Sequence, residues 1–167
     1  VSSSRATLNG QGIGISLYGL QGMSSKYIEV QELLGALTQK VSASSCDLDS
    51  QAISNALYGL RGMSSDHVEV RELLSALAKK VSSSRATLNG QGIGISLYGL
   101  QGMSSKYIEV QELLGALTQK VSASSCDLDS QAISNALYGL RGMSSDHVEV
   151  RELLSALAKK VSSSRAT

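Results

Sequence analysis

Residues 81–160 repeat residues 1–80 without a change, and Val161 to Thr167 begin the same text a third time. A chain that copies itself this strictly must fold into units that meet one another through the same contacts over and over, the mark of repeat architectures. The period divides once more. Residues 1–40, VSSSRATLNGQGIGISLYGLQGMSSKYIEVQELLGALTQK, and 41–80, VSASSCDLDSQAISNALYGLRGMSSDHVEVRELLSALAKK, are identical at more than half of their positions. The shared positions are an apolar stripe and the turn residues.

Within each unit the apolar spacing is helical twice over. Leu48 precedes Asp49, and Ile53, Ala56, Leu57 and Leu60 then recur as one face of a helix of about three to four turns. Asp49, or Asn9 in the sister unit, is a good N-cap, because its side-chain oxygen accepts from a free first-turn amide. Leu48 with Ile53, and Leu8 with Ile13, fit a hydrophobic staple. Gly62 and Gly22 are expected to end this helix in the left-handed conformation. A second helix follows, capped by Ser64, with a Met63–Val68 or Met23–Ile28 staple and with Asp66 and Glu69 at its positive end. Val70, Leu73, Leu74 and Leu77 form its buried stripe, Lys79 and Lys80 sit at its negative end, and 81–87 is a serine-rich connector.

One such hairpin cannot cover its own leucines, and stacking on its copies does so. The expected fold is therefore all-α: a right-handed α-solenoid of 40-residue helix-turn-helix repeats, two helices per unit. The boundaries fall at 1–40, 41–80, 81–120 and 121–160, with 161–167 opening a further unit, all of one continuous solenoid. Gly19 and Gly59, with Gly12 or Ala52 and Ser16 or Ala56, form a small-residue face that lets neighbouring first helices approach. The chain opens at Val1 and stops inside a connector, so it is expected to be a window onto a longer polymer.

Composition narrows the function. Hydrophobic residues make up 42% and charged residues 17%, the mean hydropathy is +0.02, and no run is apolar enough to span a membrane. Pro, Trp and Phe are absent and six Tyr are the only aromatics, so the core must be aliphatic. Basic and acidic residues balance within each period, and the net +1 comes from Arg165 in the third copy. A neutral array raises no field to steer phosphate backbones or acidic membranes, which disfavours nucleic acid and membrane partners.

The chemistry-bearing residue types do not assemble into a known constellation. Ser64, Ser65, Asp66 and His67 are consecutive, whereas triad members converge from separate parts of a fold; the sister unit has Lys26 and Tyr27 instead. Cys46 and Cys126 show no metal or redox spacing. Two units apart they lie about 20 Å from each other, beyond disulfide reach, and read as inert thiols or as an inter-chain cross-link. Gly10, Gly12 and Gly14 have phosphate-loop composition without its Lys-Ser/Thr. No catalytic residue, metal or cofactor is expected, and the serine-rich connectors are candidate O-glycan acceptors. What remains is an outward row on the first helix: Gln11, Ile15, Tyr18 and Gln21 in one unit, Gln51, Asn55, Tyr58 and Arg61 in the other. Recurring every 40 residues, it is the candidate interaction surface.

The stretches LDSQAISNALYGLRGM and VRELLSALAKK resemble the octotricopeptide and heptatricopeptide helical-hairpin repeats, and more loosely the HEAT and armadillo solenoids. The resemblance implies an organellar RNA binder with Gln51, Asn55 and Tyr58 as base readers. Periodicity, neutrality and the lack of a catalytic group point first to a structural protein, whose hairpins stack into a filament with other copies as partner. The alternative expectation is a scaffold that binds peptide or RNA along its concave face.

Overall fold

The computed structural model describes residues 6–164, and among these it is all-helical, with eight helices and no strand. Four short helices, α1 (Gly10–Tyr18), α3 (Ser50–Tyr58), α5 (Gly90–Tyr98) and α7 (Ser130–Gly139), alternate with four longer ones. These are α2 (Ile28–Ala43), α4 (Val68–Ser83), α6 (Ile108–Ala123) and α8 (Val148–Ser163). Each short helix packs on the next short one and each long helix on the next long one, giving two rows, a packing consistent with a helical repeat. One apolar cluster joins the rows: Ile13, Leu17, Ile53 and Leu57 enter it from the short helices, Leu34, Leu73, Leu74 and Leu114 from the long ones.

The start of the short helices follows from their first residues. The Asp49 carboxylate accepts from the Ala52 N–H at 2.8 Å and Asn9 from the Gly12 N–H at 2.7 Å. Leu48 and Ile53 are both fully buried beside the cap. Replacing Asp49 with Ala is expected to cost about 1 kcal/mol, read as a lower urea midpoint at an unchanged slope.

Three local expectations are corrected. The short helices stop at Tyr18 and Tyr58, and the glycine that follows stays right-handed, at φ −61° in both Gly19 and Gly59. No described residue has positive φ. The chain instead leaves through tight turns, with the N–H of Leu60 bonded to Leu57 O and that of Met63 to Leu60 O. The long helices start three residues later than the Ser64 cap implies. Their N-cap positions are Tyr27 and His67, without a side-chain cap bond, because the Ser64 hydroxyl is taken by the Asp66 N–H at 3.1 Å inside the preceding turn. The Met63–Val68 staple fails with it: Met63 is buried, while Val68 and Ile28 face solvent.

The connectors are shorter and less free than their serines suggest, since α4 runs through Ser83. Ser84 and Ser124 are buried, and their hydroxyls donate to Leu48 O and, at 2.6 Å, to Leu88 O in the preceding connectors. Ser82 and Ser83 remain exposed. The last-turn lysines do more than face a helix dipole: Lys120 Nζ donates to Ser84 O at 2.6 Å and Ala86 O at 2.7 Å. Lys80 ties Ser44 O and Cys46 O, and Lys160 ties Ser124 O and Cys126 O, in the same way. A charged donor on two otherwise orphaned carbonyls satisfies backbone that these loops cannot pair themselves.

Candidate functional site

The row of short helices presents one groove of about 630 Å³, floored by α1, α3, α5 and α7. Gln51, Asn55 and Tyr58 come to it from α3, Tyr18 from α1, and the sequence copies Gln91 and Ile95 from α5 and Gln131 and Asn135 from α7. Gln11 and Ile15 line an adjoining hollow of about 340 Å³ that shares Gln51 and Asn55. The side-chain amides of Gln51, Asn55, Gln91, Gln131 and Asn135 make no hydrogen bond to any described residue. Each therefore keeps one acceptor and two donors for something else. No charged side chain lines the groove.

Its edge is built differently. Tyr18, Tyr58, Tyr98 and Tyr138 stack in a file, with ring centroids 5.8, 5.9 and 5.6 Å apart and planes 20–23° from parallel. That is closer than the about 8–10 Å between packed helix axes, so the rings lean together and spend much of their faces on each other. Gln21 and Arg61 lie outside the groove, on this edge. The Arg61 Nη2 donates to Gln21 Oε1 at 3.4 Å, and its guanidinium stands 5.0 Å over the Tyr58 ring. Of the eight expected surface residues, Gln11, Ile15, Tyr18, Gln51, Asn55 and Tyr58 are thus brought to the groove or its adjoining hollow, while Gln21 and Arg61 brace the tyrosines.

Spacing did not reveal two further features. Ser50 and Ser54 also line the groove; Ser54 sits on the small-residue side of α3 and carries no apolar or amide signal. Ser25, buried, pairs through Oγ with His67 Nδ1 at 2.9 Å and accepts from the Ser64 N–H at 2.9 Å, joining residues 42 positions apart. Ser105 and His147 repeat the pair at 2.8 Å. The consecutive Ser64-Ser65-Asp66-His67 motif is thus dismantled: its histidine answers to a serine from the preceding unit, whose oxygen also accepts from the Ser64 N–H. Cys46 is half-buried, with Sγ 2.8 Å from the Ser44 hydroxyl, and Cys126 is exposed; both are free thiols. No helix among the described residues is long and apolar enough to cross a membrane.

No protein family, curated protein or solved structure matches the chain.

Proposed function

We propose that the chain is a binding scaffold, a stretch of right-handed α-solenoid built from 40-residue helix-turn-helix units, whose groove holds an extended polypeptide. The observation that carries this is the file of unspent amides, contributed at matching positions by α3, α5 and α7 and gathered in one uncharged channel. An extended peptide offers an N–H and a C=O at every residue, and a primary amide meets both. Ile15 and Ile95, alternating along the row with Asn55 and Asn135, supply apolar places between the polar ones. RNA fits less well, because single-stranded nucleic acid is held largely by cations along its backbone.

The test is selection of random-sequence peptides from a displayed library on the chain, followed by affinity measurement with the double variant Asn55→Ala, Asn135→Ala. Peptides are expected to be enriched, and the variant to bind them about tenfold more weakly with an unchanged melting temperature. Failure of any peptide to enrich, or equal binding by the variant, would overturn the reading. Salt-sensitive binding of a polyuridine oligonucleotide that depends on Asn55 and Asn135 would transfer the groove to RNA.

A structural role, in which units stack into a filament, is the second reading. What favours it is the apolar character of both end faces: Met23 and Leu33 are 46% and 45% exposed at one end, Leu137 and Leu154 49% and 37% at the other.

A further inference from the structure

The two end faces are the separated halves of a junction that the chain already makes in its middle. Where α3 and α4 meet α5 and α6, Leu57 and Leu74 are buried on one side and Met103 and Leu113 on the other. Leu137 and Leu154, exposed on α7 and α8, are the sequence copies of the first pair. Met23 and Leu33, exposed ahead of and on α2, are copies of the second. The polar groups recur in the same order. At the internal junction the Tyr107 hydroxyl donates to Asp66 at 3.0 Å and the Arg71 guanidinium stands 4.4 Å over the Tyr107 ring. The end faces carry Asp146 and Arg151 on one side and Tyr27 on the other.

We propose that two copies of this chain join end to end, the α7–α8 face of one seated on the α1–α2 face of the next, in the geometry of the internal junction. The inference deepens the stacking reading and rests on it. Because the two faces differ, the contact is heterologous, and repeated with a rotation that does not close on itself it gives open growth.

Small residues decide which faces fit. A Cβ built on Gly99 would lie 1.9 Å from the Leu57 carbonyl oxygen, and one on Gly102 2.0 Å from that of Met63, so the junction closes only on glycine. The Ser54 hydroxyl fills the space beside Gly92, 3.3 Å from where a Cβ would stand. The sister units have Ala52 and Ala132 at that place. The α7–α8 face, which carries Ser134, therefore suits the α1–α2 face, with Gly12 at that place, better than a face with alanine there. On the α1–α2 face the equivalent glycines are unencumbered. Among the described residues, a Cβ on Gly19 meets only Ser16 O at 3.4 Å and Ile15 O at 3.6 Å of its own turn, and one on Gly22 meets nothing within 4 Å. Alanine at either position leaves the monomer intact and blocks only the junction.

The test is sedimentation velocity of the full chain across rising concentration, with Gly19→Ala and Gly22→Ala as separate variants and circular dichroism to check their fold. The wild-type average mass is expected to climb from 17.5 kDa through its multiples, while both variants stay at the monomer mass with unchanged melting temperature. Mixed with wild type, Gly19→Ala still offers its α7–α8 face and should shorten the assemblies. A wild-type chain that stays monomeric throughout would overturn both the proposal and the stacking reading. Association that persists unchanged in both variants would overturn the proposal alone, leaving stacking through another surface.

Discussion

Gly99→Ala is expected to lower the stability of the chain by about 3 kcal/mol or more, the upper range for overpacking, and Gly59→Ala to do the same. The added methyl of Gly99→Ala would stand 1.9 Å from Leu57 O, and that of Gly59→Ala 1.9 Å from Leu17 O. Those oxygens belong to backbone, so no rotamer change relieves the clash; whole helices must separate, and separation loosens the leucines beneath them. Gly115→Ala is the matched control. It lies within α6 with nothing inside 4 Å of its Cβ, and alanine there is expected to stabilise by roughly 0.5–1 kcal/mol. The measurement is the urea midpoint of each variant at a concentration where the chain is monomeric. If Gly99→Ala unfolds no earlier than wild type, the close approach of the short helices is wrong.

That contrast also shows where sequence reasoning reached and where it stopped. The small-residue face was legible, because Gly59, Ala52 and Ala56 recur on one side of a helix; the apolar stripes and the Asn9 and Asp49 caps were legible for the same local reason. The purpose of individual glycines was not. Gly22 and Gly62 sit where a left-handed helix end is usual, but their φ is not positive. What Gly62 meets is a carbonyl from another unit, Met23 O, 2.8 Å from where its Cβ would lie. That requirement is set by a residue about 40 positions away and leaves no mark on its own neighbours.

The start of the long helices was hidden by competition. Ser64, Ser65 and Asp66 all cap helices well, yet Ser64 Oγ holds Asp66 N–H and the Arg71 guanidinium reaches back to Ser65 O at 2.8 Å. The segment is thereby fixed as a turn before any helical amide is offered. The groove was half legible. Gln51, Asn55 and Tyr58 could be placed on one face from spacing alone. That the tyrosines would stack on one another and leave the channel to the amides depends on how far the short helices lean, which the glycines set.

Leu57→Ala is expected to cost about 2–5 kcal/mol, whereas Leu137→Ala, the same substitution in the same local sequence, is expected to stay within about 0.5 kcal/mol. Leu57 is fully buried between α3 and α5, while Leu137 is 49% exposed. Helix propensity and unfolded-chain effects are common to both positions because the flanking residues are identical, so they cancel in the difference. What is left is the packing that the next pair of helices supplies. Chemical denaturation of both variants as monomers gives that difference directly, and equal losses would mean that the stacked helices do not bury the leucine. Raising the concentration adds a second reading of the same contact. If copies join end to end, Leu137 becomes buried in the assembly, and Leu137→Ala should then weaken association while leaving the unfolding of the monomer unchanged. One leucine would thus report on both the internal junction and the junction between copies.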